Sequence, residues 1–150
     1  TNHINFFLAG DCDFDNPNCI SSDELESIKL NQNIQFFGKL SYDELCQLYR
    51  KSHVFVLPSY REGLPRVALE AGSFGLALLL SDVPGCRECI KDDLNGYLFD
   101  LSSEMDLINK IQYFIEHPDE LKRMCDNSPA FIENNFSEDI IFSKFCEVLS

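Results

Sequence analysis

The sequence predicts an α/β domain in which a parallel sheet carries helices on both faces. Short apolar runs alternate along the chain with longer segments whose apolar residues recur at helical spacing, and this alternation is typical of strand–helix–strand units. The runs at 54–58 and 76–80 are unbroken by polar residues, as expected of parallel strands covered on both faces. A length of 150 residues suits one domain, so we expect a single domain over 1–150.

The predicted strands are short apolar runs that end at glycine, proline or a polar turn. They lie at 4–10, 34–38, 54–58, 76–80 and 97–99. Residues 11–18 are rich in Asp and Asn, which favour turns over regular structure. Gly85 is expected to mark a turn after the fourth strand, and Asn95 and Gly96 a turn before the fifth.

The predicted helices begin at capping side chains or at proline. In chain order these residues are Ser21 or Ser22 before 23–30, Ser41 with Glu44 completing a capping box, Pro65, Ser103 before 104–116, Pro118 and Ser137. The residues expected to face inward are Tyr42, Leu45, Leu48 and Tyr49, then Val67, Ala71 and Phe74, then Leu107, Ile108, Ile111, Phe114 and Ile115, and finally Ile141, Phe145 and Leu149.

The composition excludes several classes of protein. Twenty-five acidic residues against twelve Lys and Arg give a net charge of −13, which disfavours a nucleic-acid binder because nucleic-acid backbones are also anionic. No apolar run approaches the ~20 residues of a membrane-spanning helix. The seven cysteines have irregular gaps, and the pair Cys86 and Cys89 has no second ligand pair to complete a zinc site. We therefore expect reduced, mostly buried thiols in a cytoplasmic protein.

Ligands of parallel α/β sheets bind outside the carboxyl ends of the strands, where loops lead into helix N-termini. Three predicted loops occupy this position, at 38–41, 59–64 and 81–85. The helix that opens at Pro65 has Leu64 before it in place of a capping side chain, so its first amides are available to an anion such as phosphate. Gly63 lets a ligand approach the backbone closely.

The charged residues around this helix favour a ligand that combines a diphosphate with hydroxyl groups. Arg61 and Arg66 supply positive charge, while Glu62 and Glu70 can accept hydrogen bonds from sugar hydroxyls. The residues alone leave a simpler interpretation open. Arg66 and Glu70 are four positions apart and would suit an exposed helical ion pair worth ~0.3–0.5 kcal/mol, and Glu62 would then serve only the helix dipole.

The segment 54–90 resembles the signature of the family 4 glycosyltransferases, which have two facing Rossmann-like domains in the GT-B architecture. In that pattern a strand ends in Pro-Ser, then Glu-Gly follows, and a second Glu comes eight positions after the first. The matching residues are Pro58, Ser59, Glu62, Gly63, Glu70, Ala71, Ser81, Asp82, 84–88 and 95–98. The resemblance covers roughly residues 4–148 and implies a Rossmann-like domain, the C-terminal half of a GT-B enzyme.

The resemblance also implies roles for individual residues. It makes Glu62 the catalytic-site residue that contacts the donor sugar, as a binding and electrostatic group rather than a nucleophile. It assigns donor binding to Glu62, Gly63, Leu64, Pro65 through its carbonyl, Arg66, Val67 and Glu70, with Glu70 on the ribose hydroxyls. It places Gly38, Lys39 and Leu40 beside the base. Gly72 stands where the family usually has Met or a similar residue, which predicts a helix weaker by roughly 0.5–1 kcal/mol than with Ala.

The activity implied is retaining transfer of a hexosyl or N-acetylhexosaminyl group from a nucleotide-diphosphate sugar, with UDP expected and GDP left open. No metal and no cofactor besides the donor is expected. The implied acceptor is a glycan or lipid-linked glycan in polysaccharide or lipopolysaccharide biosynthesis, and the implied location is the cytoplasm, with the full-length enzyme peripheral at the inner membrane. The resemblance implies that a strand–helix unit and an acceptor domain precede residue 1, and from the lack of an initial Met we expect a cut end. The chain alone should bind UDP weakly and transfer nothing.

Two other functions stay open at this point. A hydrolysing UDP-sugar epimerase shares the two-domain architecture, but it should show different acidic residues and no pair of glutamates at this spacing. A non-catalytic nucleotide-sugar-binding module would keep the donor contacts without transfer. His3, His53 and His117 lie in no triad motif and are expected at the surface or in packing.

Overall fold

The computed structural model describes residues 4–10 and 21–137. Its elements, in chain order, are β1 Phe6–Ala9, α1 Ser22–Lys29, β2 Ile34–Gly38, α2 Tyr42–Lys51, β3 Val54–Leu57, α3 Arg66–Ser73, β4 Ala77–Ser81, α4 Pro84–Cys89, β5 Gly96–Phe99, α5 Glu104–Glu116 and α6 Pro118–Phe136. Every strand pairing between these elements is parallel. The predicted fold class, α/β with parallel strands flanked by helices, is confirmed.

The chain divides into two compact units, Thr1–Leu48 and Tyr49–Ser150. In the first unit β1 pairs with β2, and Ser21 rather than Ser22 caps α1. The capping box at the start of α2 is confirmed, since the Ser41 amide donates to Glu44 Oε2 at 2.8 Å and the Glu44 amide donates to Ser41 Oγ at 3.4 Å. Tyr42 is 63% exposed, so its expected inward position is wrong. The predicted turns at 11–18 lie outside the described residues.

The second unit contains a three-stranded sheet in the order β3-β4-β5. Strand β4 lies in the middle, one residue later than the predicted 76–80, and all five of its residues are buried. The apolar run predicts this burial for 77–80, and the buried Ser81 is an addition to it. Strand β3 is half-buried along its length. Val54 and Val56 pack against the core of this unit, and the Phe55 ring packs against Tyr49 on the opposite face, so both faces of the strand are partly covered.

The core of the second unit lies between this sheet and the two long C-terminal helices. Its most buried members are Ala77, Leu79, Phe99, Phe114 and Met124. Ser103 caps α5 as predicted, and Leu107 and Ile111 pack against the core at helical spacing. Ile108 is 42% exposed, because it lies to the side of that stripe, so its expected inward position is wrong. The helix expected after Ser137 lies outside the described residues.

Helix α3 buries Ala71 as predicted, but the other residues that it buries are small rather than the expected Val67 and Phe74. Ala68, Ala71 and Gly72 are buried, whereas Val67 is 40% exposed and Phe74 follows the end of the helix, half-buried. Positions 68, 71 and 72 form one stripe at helical spacing. Small residues on that stripe let α3 pack closely against α6, and this leaves Val67 on the open side.

Gly72 is required by this packing, in contrast to the weakness expected from a helical glycine. A Cβ at position 72 would lie 2.8 Å from Cγ1 of Ile132 and 3.2 Å from its Cδ1. Overpacking costs roughly 1–3 kcal/mol, whereas replacing Gly by Ala in a helix returns about 0.5–1 kcal/mol. The steric cost therefore exceeds the gain in helix propensity.

We expect Gly72→Ala to lower the free energy of unfolding by about 1 kcal/mol, measured by urea denaturation. The matched test is the same substitution in an Ile132→Ala background, where the obstructing side chain is gone and the cost of Gly72→Ala should disappear. An equal cost in both backgrounds would show that Ile132 is not the obstacle.

The residues before β5 differ from the predicted turn at one position. Asn95 lies in the turn, where its side chain accepts from the Lys91 amide at 2.8 Å and donates to the Cys89 carbonyl at 3.0 Å. Gly96 is instead the first residue of β5, and any Cβ there would overlap the backbone of Leu78. Close strand pairing, rather than turn geometry, explains this glycine.

The four cysteines in the described ranges are free thiols, three of them buried: Cys46, Cys86 and Cys89, with Cys125 half-buried. The expectation of mostly buried thiols is confirmed for these residues. None of the helices within 4–10 and 21–137 is both long and apolar enough to cross a membrane.

Candidate functional site

The site predicted from the sequence lies on the loop between β3 and α3, residues 58–65, and on the first turns of α3. This loop leaves the carboxyl end of β3 beside the carboxyl end of the neighbouring strand β4. Glu62 and Glu70 are half-buried and Pro65 is buried, whereas Gly63, Leu64, Arg66 and Val67 are exposed. The fold therefore brings the predicted donor-binding residues of this loop and helix together at the expected edge of the sheet.

Helix α3 begins at Arg66, one residue later than predicted, with Pro65 as the preceding residue. Within the described part of the chain, no side chain caps this helix end, which confirms the expectation of an uncapped N-terminus. The Pro65 carbonyl accepts hydrogen bonds from the amides of Ala68 at 3.0 Å and Leu69 at 3.3 Å. Because a carbonyl oxygen has two lone pairs, these bonds occupy the group through which Pro65 was expected to meet the donor.

Two arginines lie at this helix end, in the same segment as Glu62 and Glu70. Arg61 and Arg66 are exposed, and neither forms an ion pair with a residue in the described ranges. In particular, Arg66 and Glu70 do not pair, although their spacing permits it. The simpler interpretation, an exposed helical ion pair, is therefore not realised, and both side chains can interact with a ligand.

Glu62 is held by Ser59, one of the residues of the family pattern. The Ser59 hydroxyl donates to Glu62 Oε1 at 2.5 Å. Ser59 is held in turn by Ser81, whose hydroxyl donates to the Ser59 carbonyl at 2.6 Å and accepts from the Ser59 amide at 3.1 Å. Ser81 is fully buried at the end of β4. The position of the Glu62 side chain is thus connected to the most buried strand of the sheet.

Gly85 supports the same loop from the other side. The sequence predicted a turn at Gly85, but the residue lies inside α4 and is buried, because Pro84 already starts a helix there. A Cβ at position 85 would overlap the carbonyl oxygens of Glu62 and Gly63 and would lie 2.6 Å from the Gly63 carbonyl carbon. The backbone of residues 62–63 therefore rests directly on α4.

An exposed ion pair joins a residue of α4 to the loop before this helix. Arg87 Nε donates to Asp82 Oδ1 at 2.6 Å, and both side chains are about half exposed. This hydrogen bond lowers the pKa of the Asp82 carboxyl. Asp82, directly after β4, is therefore a charged carboxylate at neutral pH and is paired within the protein.

The two cysteines of α4 are buried thiols. Burial raises the pKa of the Cys86 thiol and raises the pKa of Cys89 to about 12. Both thiols therefore stay protonated at neutral pH, which makes them poor nucleophiles and poor metal ligands. Among the described residues, no group of three or more His, Cys, Asp or Glu side chains converges on a point that could hold a metal ion.

The residues expected beside the base lie in the first unit. Gly38 ends β2 with φ +65°, and its carbonyl accepts from the Gly10 amide at 2.8 Å. Lys39 is exposed and Leu40 is half-buried. Their contact with a base stays a prediction.

The histidines within the described ranges take no part in the site. His53 and His117 are exposed, as expected. His117 stacks on Tyr113 with ring centroids 4.2 Å apart. His3 lies outside the described residues.

Two curated relatives are similar to most of this chain. A relative from Campylobacter jejuni, N,N'-diacetylbacillosaminyl-diphospho-undecaprenol alpha-1,3-N-acetylgalactosaminyltransferase, is 31% identical over 144 residues, which are 96% of this chain and 36% of that protein. An uncharacterized glycosyltransferase of Haemophilus influenzae is 31% identical over 117 residues, 77% of this chain and 33% of the relative. The chain thus spans about a third of the length of these two relatives.

Solved structures show the same fold. HepE from Anabaena in complex with UDP matches with a TM-score of 0.83 at 22% identity, over 97% of this chain and 40% of that one. The C-terminal domain of LpcC, a group 1 glycosyl transferase family protein from Francisella tularensis, matches with a TM-score of 0.67 at 24% identity, over 77% and 60% of the two chains. The structural neighbours are GT-B glycosyltransferases. Residues 2–131 match the family described as glycosyl transferases group 1, and the chain belongs to that family.

Proposed function

We propose that this chain is the donor-binding part of a retaining glycosyltransferase of family 4. In this proposal, the enzyme transfers a hexosyl or N-acetylhexosaminyl group from a UDP-sugar to a glycan or lipid-linked acceptor in the cytoplasm. The observation that carries the proposal is the loop 58–65, where the fixed carboxylate of Glu62 stands next to an uncapped helix end with two unpaired arginines. Support comes from two similar proteins. The Campylobacter jejuni relative is named for a lipid-linked substrate, a diphospho-undecaprenol, and HepE from Anabaena forms a complex with UDP.

In this proposal, the donor diphosphate binds at the start of α3. Helix N-termini attract anions because their first amides lack intrahelical partners. Arg61 and Arg66 add two cations in a chain of net charge −13. Gly63 has no atom within 4 Å of the place that a Cβ would take, so a ligand can approach the backbone there. Pro65, with its carbonyl engaged inside the helix, shapes the backbone in this proposal rather than contacting the donor.

The two glutamates bind the hydroxyl-bearing parts of the donor. Glu70 lies on α3 and is half-buried, and we assign it to the ribose hydroxyls. Glu62 is assigned to hydroxyls of the transferred sugar, because a carboxylate oxygen accepts charge-assisted hydrogen bonds from hydroxyl groups. Leu64 and Val67 lie between the two glutamates in the chain and have apolar side chains that are 41% and 40% exposed. Their backbone amides are assigned to the sugar and the diphosphate.

Catalysis in this proposal is positioning together with stabilisation of the leaving diphosphate. The positive charge next to the diphosphate comes from Arg61, Arg66 and the helix amides rather than from a metal ion. Glu62 acts as an electrostatic and binding group. Gly38, Lys39 and Leu40 are proposed to border the base, and an acceptor domain supplied by further chain would complete the enzyme. An epimerase-like function has less support, since the family shown is one of transferases.

Isothermal titration of the 150-residue chain with UDP, GDP, UDP-glucose and UDP-N-acetylgalactosamine tests the proposal. We expect UDP and one of the UDP-sugars to bind with Kd of about 0.1–1 mM, more tightly than GDP, and no sugar transfer by this chain alone. If GDP bound more tightly than UDP, the proposed donor nucleotide would be GDP instead of UDP. If neither nucleotide bound at millimolar concentration, the donor-site assignment would be wrong.

A further inference from the structure

Three groups form a hydrogen-bonded connection from the interior of the sheet to the Glu62 carboxylate. Ser81 lies at the end of β4 with no exposed surface. Its hydroxyl contacts both backbone groups of Ser59, at 2.6 Å from the carbonyl oxygen and 3.1 Å from the amide nitrogen. The Ser59 hydroxyl then donates to Glu62 Oε1 at 2.5 Å. Each group in this series is therefore held by the group before it.

The double contact by Ser81 has a geometric consequence. A hydroxyl that binds the amide and the carbonyl of one residue fixes both the position and the orientation of that backbone. The Ser59 side chain, which projects from this fixed backbone, then delivers its hydroxyl to one defined point. At Gly85, the backbone of residues 62–63 is backed by α4 with no room for a side chain. Both ends of the segment 59–63 are thus tied to rigid elements.

The bond from Ser59 occupies only one oxygen of the Glu62 carboxylate. In the described part of the chain, no hydrogen bond reaches Oε2 of Glu62, and the side chain is half-buried. A glutamate has three rotatable side-chain bonds, and fixing it on binding would cost conformational entropy. A carboxylate already fixed through Oε1 presents Oε2 in one orientation without that cost.

We propose that Ser59 and Ser81 are positioning residues that orient the Glu62 carboxylate toward the hydroxyls of the donor sugar. This inference rests on the proposed function and adds to it two residues that orient the group that contacts the sugar. The nucleotide is bound by different groups, Glu70 and the first turn of α3. Loss of either serine hydroxyl should therefore weaken binding of the sugar part of the donor and leave binding of the nucleotide part unchanged.

The test compares UDP with UDP-N-acetylgalactosamine and UDP-glucose by calorimetric titration of the 150-residue chain and its variants. Ser59→Ala should lower the affinity for the UDP-sugar that binds the unaltered chain by about 5- to 20-fold, and the affinity for UDP should stay within about twofold. Ser59→Thr keeps the hydroxyl and should restore most of the loss. Ser73→Ala is the matched control, because the Ser73 hydroxyl donates to the Leu69 carbonyl at 2.9 Å at the other end of α3.

Ser81→Ala removes a buried hydroxyl, so its fold must be checked by urea denaturation, whereas Ser59→Ala remains the deciding variant. An equal loss of UDP and UDP-sugar affinity in Ser59→Ala would mean a general effect on the loop and would overturn the proposal. No loss, or UDP-sugars that bind the unaltered chain no more tightly than UDP, would overturn it as well. If the unaltered chain bound neither UDP nor a UDP-sugar, the proposed function itself would fail.

Discussion

Gly85→Ala is expected to reduce both stability and donor binding severely. The added methyl group would occupy the space of the carbonyl oxygens of Glu62 and Gly63, and backbone atoms cannot rotate away as a flexible side chain can. We expect the free energy of unfolding to fall by roughly 3 kcal/mol or more, since overpacking against backbone lies at the upper end of such costs. The displaced loop would also carry Glu62 away from its contact with Ser59.

Urea denaturation and UDP-sugar titration measure these two effects separately. Gly63→Ala is the matched control for stability, because no atom lies within 4 Å of the Cβ position at Gly63 and its φ is unexceptional. We expect that control to change the free energy of unfolding by less than about 0.5 kcal/mol. If Gly85→Ala were as stable as Gly63→Ala, the close packing of the loop on α4 would be incorrect.

Glu70→Ala is expected to remove most of the nucleotide affinity without unfolding the chain. Hydrogen bonds to a charged group contribute about 1.5–3 kcal/mol, which corresponds to a loss of UDP affinity of about 10- to 100-fold. Glu70 forms no ion pair with Arg66, so its removal breaks no ion pair on the helix.

Glu116→Ala, at an exposed position on α5, is the matched control for the loss of one carboxylate. Calorimetric titration with UDP should separate the two variants, with equal urea midpoints showing that both are folded. Unchanged UDP affinity in Glu70→Ala would remove Glu70 from the nucleotide site.

Local features of the fold were predictable from the sequence. Ser41 with Glu44 and Ser103 begin helices as expected, because a capping hydrogen bond reaches only three residues along the chain. Strand β4 was predictable because a strand that is buried on both faces has apolar residues at consecutive positions.

Tertiary packing accounts for the incorrect predictions. Val67 and Ile108 were expected to face inward from their size and spacing, but the neighbouring helices select the small residues of α3 and a different stripe of α5. Gly72 and Gly85 looked like a weak point and a turn, respectively. Each is in fact a close contact with a residue far away in the chain, and no local pattern reveals such a contact.

In the candidate site, too, local features were predictable from the sequence and contacts between distant residues were not. The order of Glu62, Gly63 and Glu70 was visible through the family resemblance, and the uncapped start of α3 followed from Leu64 in front of Pro65. The contacts between Ser59 and Ser81 join positions 22 residues apart, so they depend on the pairing of β3 with β4 and could not be read from spacing.

Binding of the nucleotide diphosphate at the start of α3 can be tested by titrating the ¹⁵N-labelled chain with UDP and following the amide resonances in NMR spectra. We expect saturable shifts at millimolar UDP for the amides of residues 63–64, 66–67 and 70, and unchanged resonances for the amides of α6. An absence of shifts in residues 62–70 at millimolar UDP, or shifts confined to another part of the chain, would show that the diphosphate does not bind there.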